Sequence, residues 1–133
     1  MKQIVWKEFT FDSAHKLENT EKCDYGKCNN IHGHTYKLQV GIENETNPDT
    51  SMVINFNDLK KIVNEKIIDV VDHSFLNESM QKLKEGIYHT TCEVMAVIFQ
   101  EILQNEFKKI LGDKVKVSIR LWETPTSFME VLA

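Results

Sequence analysis

Hydrophobic and polar residues alternate over three long stretches of this chain. Between residues 32 and 43 the even positions are His32, His34, Tyr36, Leu38, Val40 and Ile42. The odd ones are Gly33, Thr35, Lys37, Gln39, Gly41 and Glu43. Strand side chains change face at every residue, so the pattern predicts a half-buried strand with both histidines on its apolar face. KVKVSIRLWE (114–123) alternates too: Val115, Val117, Ile119 and Leu121 share a face that Glu123 continues. Residues 3–14, rich in aromatic and β-branched side chains, read as a first strand. SFMEVL (127–132) reads as a short last strand after the turn at Thr124-Pro125-Thr126.

A helical period replaces alternation over residues 56–70. There Phe56, Leu59, Ile62, Val63, Ile67 and Val70 fall on one face, and Asn55 is placed to cap the helix. Thr90-Thr91-Cys92-Glu93 fits a capping box, with Thr90 accepting from the third amide and Glu93 reaching back. It predicts a second helix running to about Phe107, in a region ended by Gly112 and Asp113. MVI (52–54) reads as a short strand after a turn at 46–51, VDHSFLN (71–77) as irregular, and the chain to about 89 as a connector. Residues 17–31 are polar with one glycine and read as a long loop, a type usually functional or disordered. The order β-β-(β)-α-α-β-β, with strands paired as hairpins, predicts an α+β domain with helices on one face of an antiparallel sheet.

Composition narrows the function. The 133 residues suit one ordinary domain, and no repeat or linker divides them, so 1–133 reads as a single unit. With 41% hydrophobic and 27% charged residues the chain is globular rather than disordered. A net charge of −4 gives no electrostatic case for nucleic acid or an anionic membrane. No apolar run approaches the roughly 20 residues of a membrane helix, and the charged, alternating N-terminus is neither signal nor transit peptide. Three cysteines without a secretory signal point to a reducing, cytoplasmic setting.

The candidate chemistry centres on CNNIHGH (28–34). His32 and His34, two apart on a strand, project to one side with Cα atoms about 7 Å apart, a workable bite on one metal ion. If the first two strands pair across the 17–31 loop, His15 falls beside them as a third ligand. Three neutral imidazoles with an open position is a catalytic zinc arrangement. A rival closed site would use Cys23, Cys28, His32 and His34, making the loop a zinc-stapled binding module without chemistry. Loss of zinc on replacing Cys28 with alanine marks the closed site. Retained zinc with lost activity marks the open one. Glu123 extends a buried face, where an unpaired charge is costly, so it needs a partner. Asp72-His73 could form an acid/base pair, although such a pair after a helix also serves as a cap or a solvated couple.

The set F-x-x-A-H (Phe11 to His15), C-x3-H-G-H (Cys28 to His34), D-H (Asp72-His73), T-x-E (Thr91 to Glu93) and a late E-T (Glu123-Thr124) covers nearly the whole chain in order. It resembles the 6-pyruvoyl-tetrahydropterin synthase family. The three residues between Cys28 and the HGH triplet look like the branch that forms a 6-carboxytetrahydropterin for queuosine synthesis. GKCNN (26–30) and Asn55 look like the pyruvoyl branch, which is the alternative. The resemblance implies the tunnelling fold: a four-stranded antiparallel sheet with two helices on one face. Subunits of that fold close sheets into a barrel, typically a homo-hexamer of two trimers with active sites at subunit interfaces. It implies zinc on His15, His32 and His34, and 7,8-dihydroneopterin triphosphate as substrate, with triphosphate leaving and, in the carboxy branch, acetaldehyde. Cys28 would then be the proton-abstracting base, Asp72-His73 a second acid/base unit, and Glu123 the partner of the pterin N–H and amino edge. Thr91 or Glu93 would touch the pterin. Cys23 and Cys92 have no assigned role, and His89 reads as a surface loop residue. Lys16, Lys22 and Lys27 are candidates for the triphosphate only because they flank the motif loop.

Overall fold

Phe9, Phe11, Ser13 and His15 on the first strand, and Tyr36, Leu38, Val40 and Ile42 on the second, are all buried, as their alternation requires. β1 (Lys2–His15) and β2 (His32–Glu45) pair antiparallel along their whole length. Lys2 stands opposite Glu45 at one end and His15 opposite His32 at the other. The structure, a computed structural model, describes residues 1–21 and 24–133.

β3 (Ser74–Phe75), β4 (Lys116–Thr124) and β5 (Ser127–Val131) complete a sheet of order β3-β1-β2-β4-β5. β4 and β5 join antiparallel, whereas β3 pairs parallel with β1 at Ser13 and Ala14. The sheet is therefore five-stranded and mixed, which corrects the expected four antiparallel strands. A two-residue strand is too short to show a period in sequence. The expected strand at 52–54 is absent as such: Met52 makes a single bridge to Asn47 that closes the turn.

The helices are α1 (Phe56–Val63), α2 (Asp69–Val71), α3 (Leu76–Leu83) and α4 (Cys92–Leu111), with a π turn (Asn64–Ile68) joining the first two. Asn55 caps α1 as expected, its Oδ1 accepting from the Asn57 amide at 2.8 Å. The expected 56–70 helix carries that π turn within it, and the neighbours Ile67 and Ile68 are both buried there. α3 lies where a connector was expected. Its apolar signal is only Leu76, Met80 and Leu83 within eight residues, too short a run to read as a helix.

The capping box is also corrected, by one residue. Thr91, not Thr90, caps α4, its hydroxyl oxygen accepting from the Val94 amide at 3.3 Å. Glu93 therefore sits second in the helix, where its charge faces the positive helix end rather than closing a box. Gly112, at φ +91°, ends the helix with a conformation that L side chains rarely adopt.

Met95, Phe99, Leu103 and Phe107 of α4 are fully buried in the apolar core that also holds Val117, Ile119 and Leu121 of β4. Each such side chain contributes roughly 1.5–3 kcal/mol, against about 1 kcal/mol for a cap. Burial thus holds α4 in place, and Thr91 only sets where it starts. On the opposite face of the sheet Trp6 lies over Gly41, where an added Cβ would stand 2.8 Å from the indole ring. Arg120 covers the same indole at 4.4 Å. Among the described residues no helix is long and apolar enough to cross a membrane.

Candidate metal centre and adjoining groups

The β1–β2 register brings His15 beside His32, and alternation along β2 places His34 on the same side. Ring centroids are 4.6 Å apart for His15 and His32, 5.3 Å for His15 and His34, and 5.0 Å for His32 and His34. One ring nitrogen from each lies within 4.8 Å of the others. His15 is fully buried and the other two are half-buried.

Their tautomers follow from their partners. His15 Nδ1 is 2.9 Å from the Thr90 carbonyl and 3.1 Å from its hydroxyl. His32 Nδ1 is 2.7 Å from the Asn30 carbonyl. A carbonyl only accepts, so both Nδ1 atoms carry the proton and both Nε2 atoms present a lone pair. Nε2 of His15 and of His34 are buried without a hydrogen-bond partner among the described residues. Both face one carboxylate oxygen, Glu123 Oε1, at 3.4 and 3.3 Å. A carboxylate so close calls for a positive charge between it and these nitrogens, either a proton on Nε2 or a metal ion. Burial holds the His34 pKa down, against the pull of Glu123, so this ring favours the neutral, ligating form. Glu123 is held below the usual carboxylate range, chiefly by His15, despite its partial burial. Three imidazoles, two of them oriented by backbone carbonyls, with a carboxylate at hand fit a metal ion with an open position.

Glu123 arrives there by alternation from Leu121, near the end of β4. β4 pairs with β2 as far as Lys37–Trp122, and the β4–β5 ladder is irregular between Trp122 and Thr124. Beyond that point lies a cleft of about 530 Å³ whose walls include Gly33, His34, Tyr36, Trp122, Glu123 and Pro125. It is large enough for a small heterocycle.

Asp72 and His73 do form a pair. His73 Nδ1 is 3.0 Å from Asp72 Oδ2, and Asp72 Oδ1 accepts from the Asp12 amide at 3.0 Å. The His73 amide donates to the Asp12 carbonyl at 2.6 Å. His73 adopts φ +54°, uncommon for a non-glycine residue, and its ring is 79% exposed. Asp12, Ala14, Gly33, His34 and His73 line a second cleft of about 560 Å³, so His34 borders both. Hydrogen bonding from Asp12, then the His73 partner, lowers the Asp72 pKa.

Residues 4–133 match the family described as 6-pyruvoyl tetrahydropterin synthase. The chain belongs to that family. It is 42% identical to the 6-carboxy-5,6,7,8-tetrahydropterin synthase of Haemophilus influenzae, over 95% of this chain and 96% of that protein. It is 32% identical to the human 6-pyruvoyl tetrahydrobiopterin synthase, over 94% and 88% respectively. The solved 6-pyruvoyl tetrahydropterin synthase of Caenorhabditis elegans superposes with a TM-score of 0.79 at 26% identity, covering 100% of this chain and 96% of that one.

Cys28 is exposed on a 3-10 turn (Gly26–Asn29), with its carbonyl accepting from the Leu17 amide at 2.8 Å. Among the described residues its sulfur is not one of the atoms gathered at the histidines. Cys23 and Lys22 lie outside the described residues. Lys16 pairs with Glu18 at 3.2 Å, Lys27 is exposed, and His89 is exposed as expected. Thr91 is half-buried and Glu93 exposed at the start of α4. Sequence reasoning missed three residues. Thr90 was read as a cap but orients His15, Asp12 sits inside F-x-x-A-H without drawing notice, and Tyr36 looked like one more core residue.

Proposed function

We propose that this family member is a zinc-dependent synthase converting 7,8-dihydroneopterin triphosphate to 6-carboxy-5,6,7,8-tetrahydropterin, releasing triphosphate and acetaldehyde. The observation that carries it is the pair of buried, partnerless Nε2 atoms of His15 and His34 facing Glu123. The name of the 42%-identical relative supports the carboxy product. The human relative keeps the pyruvoyl product, formed by triphosphate elimination alone, as the second reading.

His15, His32 and His34 would hold the zinc, which when bound supplies Lewis acidity to the side-chain oxygens of the substrate. Glu123, being ionised, accepts from the N–H and amino edge of the pterin as a bidentate partner. Thr91 and Glu93 are further candidates for contact with the ring. Cys28 takes the side-chain proton as a thiolate. Asp72 accepts from Nδ1 of His73, which leaves Nε2 of that exposed ring to exchange protons with substrate. The exposure of His73 and Cys28 suits an assembly, a homo-hexamer in this reading, whose sites form between subunits. A cytoplasmic location fits the same reading.

Incubating zinc-loaded protein with dihydroneopterin triphosphate and weighing the products tests this. Acetaldehyde with a 6-carboxypterin supports the first reading, and a pyruvoyl product supports the second. No turnover, with Cys28→Ala equal to wild type, sinks both.

A further inference from the structure

Tyr36 is the largest fully buried side chain among the described residues. Its ring stacks on Phe11 at 4.8 Å and meets His34 edge-on at 5.6 Å and His15 at 6.3 Å. Its hydroxyl is buried and has no hydrogen-bond partner among the described residues. Nearly all buried polar atoms in proteins are paired, so a hydroxyl stranded here calls for a reason. Packing offers none. Leu38, Val40 and Ile42 continue the same face with no polar atom, and phenylalanine would fill the ring's space.

The surroundings supply one. Lys37–Trp122 is the last β2–β4 pair, and Tyr36 and Glu123 would be the next, at the point where the cleft opens between the strands. Both residues line that cleft. A phenolic hydroxyl donates as well as accepts. A carboxylate reads only donors. A pterin edge carries ring-nitrogen and carbonyl acceptors beside its N–H and amino donors, and these need a donor from the protein.

We propose that the Tyr36 hydroxyl is a substrate contact, donating to an acceptor of the pterin ring beside the edge held by Glu123. The inference rests on the pterin reading above. It has an energetic signature that a structural tyrosine lacks. A stranded hydroxyl destabilises the free protein, and only the ligand offsets that. Removing it therefore has opposite effects on the two states.

The test compares wild type and Tyr36→Phe, both zinc-loaded, with neopterin as probe. This compound carries the ring without the triphosphate, and binding is read by its fluorescence. The variant should bind roughly tenfold more weakly, the effect of one lost hydrogen bond in a closed site. Its ligand-free melting temperature should be equal to or above that of wild type, with unchanged zinc content. Equal affinity for neopterin in both proteins overturns this inference and leaves the pterin reading intact. A lower melting temperature without ligand, or a variant that does not fold, overturns it too, because the hydroxyl then has a protein partner. Wild type that does not bind neopterin overturns both.

Discussion

Nδ1 of His15 and the carbonyl of Thr90 stand 2.9 Å apart, tying the end of β1 to the residue before the cap of α4. One contact fixes the tautomer of a buried imidazole and couples it to the longest helix. The Thr90 hydroxyl, at 3.1 Å, shares that position. Thr90→Val keeps the carbonyl and loses the hydroxyl. Metal affinity should fall roughly tenfold, the low end for partners of ligating histidines. Chelator competition measures it, and unchanged affinity would assign orientation to the carbonyl alone.

His15→Ala should abolish stoichiometric metal binding, since it deletes one of three nitrogens and the only fully buried one. Elemental analysis after dialysis decides the point. Removing the metal from wild type should also lower the melting temperature, because an ion bound only by the folded state stabilises it by mass action. A melting curve indifferent to chelator would count against a site at these histidines.

Cys28 and Cys92 should differ sharply in reactivity. Cys28 is exposed, whereas burial, and then the charges of Glu123 and Glu93, push the Cys92 thiol up to about 12. The thiolate is the nucleophile, so iodoacetamide at mildly alkaline pH should label Cys28 first. Peptide mass mapping gives the order. The same shift has a signed effect on stability. An acid whose folded pKa is raised binds its proton more tightly when folded. Stability is then lost as pH rises from the unfolded thiol value of about 8.5 towards 12. Cys92→Ala should flatten that alkaline decline.

Gly41→Ala should destabilise by about 1–3 kcal/mol, because the new methyl meets the Trp6 ring and overpacked sites cost that much. Zinc content should not change, as Gly41 lies nine register positions along β1–β2 from the His15–His32 pair. Denaturant unfolding beside metal analysis separates the two. Lost zinc in a folded variant would show that this face and the metal centre are coupled.

The parts of this fold that repeat were readable, and the parts that occur once were not. Alternation over 32–43 fixed which face His32 and His34 share, and the register put His15 beside them. β3 and α3 are too short for any period to emerge, and their place comes from tertiary contacts with β1. At Thr90 and Thr91 two identical side chains compete for one cap, and what decides is a histidine 75 residues away. Glu123 was legible as a buried-face carboxylate needing a partner. That the partners are two histidines rather than solvent depends on the β1–β2 register, which brings His15 beside β2 at that end of the sheet. The Asp72-His73 contact hangs on a left-handed backbone at His73, and sequence gives no sign of it.

The fourteen-residue pairing of β1 with β2 has one more consequence. A slip of a single residue would turn the whole inner row of β1 outward, His15 with it, away from His34. Only one alignment of the two strands assembles three nitrogens. An ion bound there is therefore a proofreader of strand alignment. It closes the mouth of the 16–31 segment and stabilises the correct pairing alone, so misaligned chains should be recognisable as the ones that carry no metal.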